Sequence, residues 1–456
     1  MVYFCTQDYQ WLGRCIAIRT KEILNEKREK YITDMFMLKK DICFRHSRCI
    51  YICCMLICML MCFSDAFGQR ASAMEKTDYE RLKTKVIQAY KNYKTEVDVS
   101  SFELYVDSDK STIKEIMTEV VNKTTMIFYN NHSYSLEYTG TTGKITKIEL
   151  GYASEYKKTN GSVKAAAIKK AAAKLNKEIN KITSKIKPGM NSVDKALFVH
   201  DQIAKDTSYE DKVSNNSRLT EYGVLVKHKG NCQGYSLAYA AVMEKLGFSV
   251  HFVDSEYMDH VWNQIKIGSN WYNVDVTWDD SVDSDNGKNQ DGVVYHKYFL
   301  ASDKYMRNHG YSGFDSSGVN SKIYDTAYFK KVTNAFDYRG SYWVFMNNSG
   351  IYKRAHISSG KAKCLLKVKG SCFIKFNSNK YYYTAYNRLY IFNYKEKNAK
   401  VIWSPVKKYG NSYYITQLKY SSGKIKYVVK NTKKSKKVIR RMDKAQKSSK
   451  DSYNIK

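Results

Sequence analysis

Cys232, His260 and Asp275 lie in three consecutive segments, GNCQGYSLAYAAVMEKLG, DHVWNQIKI and WYNVDVTWDD, in the order a thiol acyl-transfer site requires. Acyl transfer from an amide needs a thiolate, a base that takes and returns its proton, and a third group that orients the base. Each segment supplies one of these.

The elements that must position them follow from local pattern. Asn231 is placed to cap a helix whose apolar residues Tyr235, Ala238, Ala241, Val242 and Leu246 recur at helical spacing, and Gly247 is placed to end it. Cys232 then falls in the first turn, where unsatisfied amides and the positive dipole end favour thiolate over thiol. Its own backbone N–H is available to an oxyanion. Phe248 to Val253 reads as a strand, and two further alternating segments follow as a hairpin. In 260–267 the apolar set Val261, Ile265 and Ile267 leaves His260 on the opposite face, and in 271–278 the set Tyr272, Val274 and Val276 does the same for Asp275. A turn centred on Ile267 and Gly268 would pair His260 directly with Asp275, whereas one centred on Ser269 would pair Asn263 with Asp275. The first register is expected, because only it makes chemical use of both residues.

These segments resemble the transglutaminase-like superfamily. The resemblance extends over about 162–319: KALFVHDQIAKDTSY, ending at Tyr209, is similar to the family's preceding helix, and YHKYFLASD, from Tyr295 to Asp303, to its following segment. It implies Cys232 as nucleophile, His260 as general base and acid, and Asp275 as orienter, on an α+β fold shared with papain-like thiol enzymes. The family holds transglutaminases, proteases, amidases and inactive members, so it leaves the reaction open. Tyr209, Gln233 and Trp262 are further candidates for oxyanion or substrate contact, each with a plainer reading as packing or helix cover. Trp262, Trp271 and Trp278 read most simply as core and cleft-wall aromatics, and His200, on the apolar face of a helix with Val193, Ala196, Leu197 and Ile203, as a satisfied core histidine.

Metal and cofactor chemistry find little in the chain. There is no HExxH, no paired CxxC in its body and no EF-hand spacing, and Asp279, Asp280, Asp283 and Asp285 read as a solvated loop. No Gly-rich phosphate loop occurs, and no cofactor is expected.

The chain has 456 residues, 43% of them hydrophobic, enough for several domains. Eight of its eleven cysteines lie at or before Cys62, leaving Cys232, Cys364 and Cys372 in the body, where Cys364 and Cys372 are as plausibly reduced as bridged. One reactive thiol in so cysteine-poor a body suits an exported bacterial protein. An apolar stretch from Cys49 to Phe63, preceded by Lys39, Lys40, Arg45 and Arg48 and followed by Ala71-Ser72-Ala73, has the layout of a signal peptide. It is shorter than the ~20 residues of a membrane-spanning helix. Met35 or Met37 would give that signal an ordinary start, and an uncleaved anchor is the alternative.

The expected organisation is an α+β chain: a signal region to 73, a small N-terminal α+β region at 74–161, a papain-like, transglutaminase-like catalytic domain at 162–320, a C-terminal all-β repeat domain at 321–430, and a basic tail at 431–456. In the N-terminal region helices are expected over 77–93 and 112–121, and strands near 102–106, 125–129 and 145–152; a long helix over 163–186 leads into the catalytic domain. Tyr-rich units begin near Gly340, Lys380 and Asn411, a loose propeller-blade spacing, but so few units cannot close a propeller and a small β-sheet domain is expected. Their tyrosines fill a β core more readily than they stack on sugars. The net charge of +32, with ten Lys or Arg against two Asp in the last 26 residues, favours anionic partners. With no nucleic-acid motif and an export-like signal, anionic wall polymers or a membrane surface fit better than nucleic acid, alongside a protein or peptide amide as substrate at the cell surface. No residue pattern sets an oligomeric state.

Overall fold

A computed structural model describes residues 74–210, 216–282, 289–315, 318–319, 321–375, 379–385, 388–404, 413–421, 424–431 and 453–454. The signal-like stretch, Asp283, Asp285 and nearly all of the basic tail lie outside these residues. Among the described residues no helix is long and apolar enough to cross a membrane.

The chain divides into two compact units, the first holding 130–152 and residues up to 120, the second 121–129 and residues from 153 onward. In the first unit α1 (Lys76–Lys91) buries Leu82, Val86 and Tyr90 at helical spacing, and α2 (Val106–Lys123) buries Ile113, Ile116 and Val120. Three antiparallel strands follow the order β1-β3-β2, with β1 at Glu96–Asp98, β2 at Asn130–Tyr138 and β3 at Ile145–Tyr152. Two expected strands are absent. Residues 102–106 lead into α2 because the Asp109 carboxylate accepts the Tyr105 N–H at 2.9 Å and starts the helix there. Residues 125–129 form turns, with Met126 in the left-handed region at φ 70°.

The second unit opens with α3 (Ala165–Thr183), whose Ile168, Ala171, Leu175 and Ile179 form the buried stripe, and α4 (Ser192–Asp206), started by a reciprocal Asn191–Asp194 capping box. A two-residue strand β4 (Ser208–Tyr209) pairs in parallel with β5 (Lys229–Gly230), and α5 (Glu221–Lys227) lies between them in sequence. Helix α6 (Cys232–Lys245) is buried all round from Gly234 to Met243, making it a central core helix rather than an amphipathic surface one. It packs on an antiparallel sheet of order β11-β8-β7-β6, built from β6 (Val250–Ser255), β7 (His260–Ile267), β8 (Asn270–Val274) and β11 (Phe299–Ala301). A short helical turn α7 (Val276–Asp279) and the hairpin β9 (Asp280–Val282) and β10 (Asn289–Val294) connect β8 to β11, and α8 (Asp303–Asn308) follows.

Beyond 336 the chain folds into consecutive antiparallel meanders. The first runs β12 (Asp337–Arg339), β13 (Tyr342–Asn347), β14 (Gly350–Arg354) and β15 (Lys363–Lys367). The second runs β16 (Gly370–Lys375), β17 (Lys380–Ala385), β18 (Arg388–Asn393) and β19 (Asn398–Trp403), and β20 (Tyr413–Ser421) with β21 (Lys424–Asn431) begins the third. Tyr381 and Tyr383 pack with Val344 and Ile351 of the first sheet, while Tyr382 packs with Ile415 and Val429 of the third. The middle sheet is covered on both faces, which explains why β17 is buried without a break from Tyr381 to Ala385. Cys364 is exposed, Cys372 is buried, and both are free thiols.

Candidate active site

Cys232 occupies the first position of α6. Asn231 caps the helix in extended backbone, its side chain accepting the Gly234 N–H at 3.3 Å, and its own N–H donates to Arg218 O at 3.0 Å. The first amides of a helix have no partner within it, so the Cys232 N–H is not used by the helix's own hydrogen bonds. Glycine is required beside it, because a Cβ on Gly234 would collide with the Arg218 carbonyl and meet Val224 Cγ2 at 3.1 Å. The thiol is partly exposed.

His260 and Asp275 come together by a route other than the expected one. The hairpin pairs Ile267 with Asn270 and Asn263 with Val274, so its two-residue turn is Gly268-Ser269, with Gly268 at φ 61°. Neither a turn on Ile267-Gly268 nor one on Ser269 forms. A Gly-Ser pair is itself a two-residue hairpin signal, because glycine tolerates the positive φ that such turns require. In this register His260 and Asp275 share a face but sit diagonally, a separation that a ring and a carboxylate can span. The strand expected over 271–278 stops at Val274, since Asp275 caps α7 by accepting the Trp278 N–H on Oδ1 at 3.0 Å. That cap turns Oδ2 toward His260, whose Nε2 lies 2.6 Å away. Asp259, just before the histidine, adopts φ 47°, a left-handed conformation that aspartate tolerates better than most residues.

The His260 imidazole is hydrogen-bonded to both Asp275 and Cys232. With Nε2 committed to the carboxylate, Nδ1 is left for the sulfur. Burial disfavours the imidazolium, yet the charge and hydrogen bond of Asp275, with a smaller contribution from Cys232, outweigh it and raise the pKa to about 10. Aromatic rings enclose the imidazole: Trp262 and Trp278 stack with it at 5.8 and 5.1 Å, and Tyr311 meets it edge-on at 6.2 Å. Trp278 is 41% exposed and forms the solvent-side wall. The Tyr311 hydroxyl donates to Asp275 Oδ2 at 2.6 Å.

A second polar cluster holds the turn from behind. Asp279 accepts the Tyr298 N–H at 3.1 and 3.0 Å and lies 3.3 Å from His200 Nε2, while His200 Nδ1 faces Asp201 Oδ1 at 2.9 Å. His296 bridges Asp201 Oδ1 at 3.0 Å and the Val332 carbonyl at 2.9 Å. His200, Asp201 and His296 are crowded enough for metal ligation. Their four ring nitrogens all lie within hydrogen-bond distance of protein oxygens, so the group forms a buried network of imidazoles and carboxylates. Burial opposes the charge on His200, but its bonds to Asp201 and Asp279 raise its pKa to about 9. His200 is thus the satisfied core histidine expected of it. Asp279 and Asp280 are not in a solvated loop: both are buried, and Asp280 accepts the Tyr235 hydroxyl at 2.5 Å.

The three further candidates are placed around this centre rather than in it. Trp262 is 1% exposed, and its Nε1–H donates to Asn273 Oδ1 at 2.9 Å, so it supports His260 from below and offers no surface to a substrate. The Gln233 amide donates to the Asn122 carbonyl, which covers the helix start. Tyr209 pairs through its backbone with Gly230 and packs at 6.5 Å against Tyr235. Sequence reasoning missed Tyr311 and Asp279 as partners of the site. Periodicity gives no sign of Tyr311, whereas the acidic pair in WDD was visible and was read as solvent-facing.

Residues 179–276 match the model of the transglutaminase-like superfamily, a span that contains Cys232, His260 and Asp275. Two solved structures are similar over part of the chain. One, described as the crystal structure of a TGase, is 16% identical with a TM-score of 0.22, over 41% of this chain and 49% of that one. The other, a candidate cysteine protease from Cytophaga hutchinsonii, is 15% identical with a TM-score of 0.20, over 32% of this chain and 61% of that one. This chain therefore spans about half of the first and about three fifths of the second, and so little superposed backbone carries no weight for fold or function. Curated proteins gave no match.

Proposed function

Taking residues 179–276 as a transglutaminase-like domain, we propose that the protein is a cysteine acyl-transfer enzyme acting on protein or peptide amides. The observation that carries this reading is the His260 ring held between the Asp275 carboxylate and the Cys232 sulfur. In the proposed reaction Cys232 Sγ attacks the amide carbonyl while its proton rests on His260, and the Cys232 N–H donates to the oxyanion. His260 returns that proton to the leaving nitrogen, the C–N bond breaks, and a thioester remains. An amine or water, giving its own proton to His260, then attacks the thioester and releases the thiolate. Asp275 keeps the ring oriented through both halves.

Amine transfer and hydrolysis differ only in the second nucleophile, so water access to the thioester decides between them. We further propose a cell-surface setting with anionic wall polymers or membrane headgroups as docking partners, a reading supported by the signal-like stretch from Cys49 to Phe63 and the charge of +32. The alternative, a catalytically silent wall-binding module, draws less support, because Tyr381, Tyr382 and Tyr383 are buried and offer no stacking surface to sugars.

The test is incubation of the full chain and its Cys232→Ala variant with a glutamine-containing protein, a fluorescent primary amine and a peptide amide. Cys232-dependent incorporation supports transfer, and Cys232-dependent cleavage or ammonia release alone supports hydrolysis. Products equal in the wild type and the variant would refute the proposal.

A further inference from the structure

Asp275 has three donors, and two of them share one oxygen. Oδ1 accepts the Trp278 N–H, while Oδ2 accepts both His260 Nε2–H and the Tyr311 hydroxyl, each at 2.6 Å. Tyr311 comes from outside the helix and hairpin that carry the other groups, following α8 in a short strap. The strap is pinned to the turn that precedes His260. Ser255 Oγ donates to Ser312 O at 2.6 Å, the Ser312 N–H points at Met258 Sδ at 3.2 Å, and a Cβ on Gly313 would meet Tyr257 Cβ at 2.6 Å. Gly310 and Gly313 take φ of 98° and 63°, which lets the strap make this tight passage.

We propose that Tyr311 is a positioning residue of this site: its hydroxyl fixes the Asp275 oxygen that holds His260, and so sets where the imidazole points. This rests on the acyl-transfer reading only for its kinetic consequence. Packing alone does not account for the hydroxyl. The ring lies 4.6 Å from Trp278 and 5.0 Å from both Trp262 and Tyr298, contacts a phenylalanine would keep. The phenol instead makes a short charge-assisted bond to a carboxylate. Burial and the neighbouring Asp275 charge push its own ionisation upward, so it remains a donor wherever His260 titrates. Because the two donors share Oδ2, each draws on the same negative charge. Removing the phenol leaves His260 as the sole donor to Oδ2, which strengthens the imidazolium–carboxylate contact and frees the carboxylate to rotate about its remaining bonds.

The experiment uses the full chain with Tyr311→Phe, Asp275→Asn, the double variant and Cys232→Ala. Iodoacetamide alkylation of Cys232, followed by peptide mapping from pH 5 to 11, is read alongside amine incorporation and thermal melting. Tyr311→Phe should move the alkaline inflection of alkylation upward by roughly half a pH unit and lower turnover about tenfold at similar KM. In the Asp275→Asn background the same substitution should change neither. An unmoved inflection, or an effect of equal size with Asn at 275, overturns the proposal, whatever happens to turnover. Product formation that persists in Cys232→Ala would instead refute the acyl-transfer reading, and the inflection would still decide Tyr311. If Tyr311→Phe melts too low to assay, incorporation of 3-fluorotyrosine, which keeps the hydroxyl but makes it a stronger donor, should move the inflection downward; no movement overturns the proposal.

Discussion

Asp279→Ala tests whether the buried network behind the site holds the turn that carries Asp275. The carboxylate is fully buried, accepts the Tyr298 N–H and faces His200 Nε2 at 3.3 Å. Alanine would leave His200 with Asp201 alone, an acceptor already shared with His296, and would orphan the Tyr298 amide. Removing one partner of a buried pair costs about 3–5 kcal/mol, because the remaining charge stays out of water. At ~2 °C per kcal/mol for a unit of this size, the transition should fall by roughly 6–10 °C at pH 7. The cost should itself depend on pH. The His200 pKa is raised from 6.5 to about 9, so the stability its charge contributes is complete below pH 6.5 and lost as pH rises through about 9. At pH 10 the stranded charge is gone, and only the orphaned amide remains, about 1–3 kcal/mol. Asp279→Asn, which keeps an acceptor for Tyr298, should cost less than alanine at both values. Melting curves of wild type and both variants at pH 7 and 10 provide the measurement. A loss under ~1 kcal/mol at pH 7, or the same loss at both pH values, would refute the argument.

The pair formed by His260 and Asp275 should add to the alkaline loss in the wild type. The His260 pKa is raised from 6.5 to about 10, so its contribution is complete below pH 6.5 and disappears as pH approaches and passes 10, visible as a falling melting temperature. On the acid side burial opposes the Asp201 charge, but His296 and His200 lower its pKa from 3.8 to about 2, so its contribution is present above pH 3.8 and is lost as pH falls through about 2. Gly234→Ala should lower stability by at least ~1 kcal/mol despite alanine's better helix propensity, since the added Cβ meets the Arg218 carbonyl; slower Cys232 alkylation should accompany it, and unchanged melting would contradict the close approach. In peptide-mapped alkylation of the native chain, Cys232 and Cys364 should react while Cys372 reacts only after unfolding. Equal labelling of Cys364 and Cys372 would contradict the packing of β16.

Local chemistry settled much of this site before any tertiary contact was known. An Asn followed by Cys at the head of an apolar helical run specifies a capped helix with the thiol in its first turn, and α6 begins there. Strict alternation specifies which face of a strand a residue occupies, so His260 and Asp275 were rightly assigned to one side of the sheet. Alternation repeats every two residues, however, and says nothing about how far one strand slides past the other. The Gly268-Ser269 turn and the Asp275 cap fixed that, moving the pair from opposed to diagonal and ending β8 four residues early. Contacts made across long separations in sequence left no periodic trace at all. Tyr311 reaches Asp275 from 36 residues away, and His200 meets Asp279 across 79. Whether an acidic or aromatic side chain is solvated or buried depends on what folds over it. Tertiary packing put Asp279 inside with a histidine partner, left Trp278 on the surface beside the imidazole, and drew Gln233 away to a backbone carbonyl.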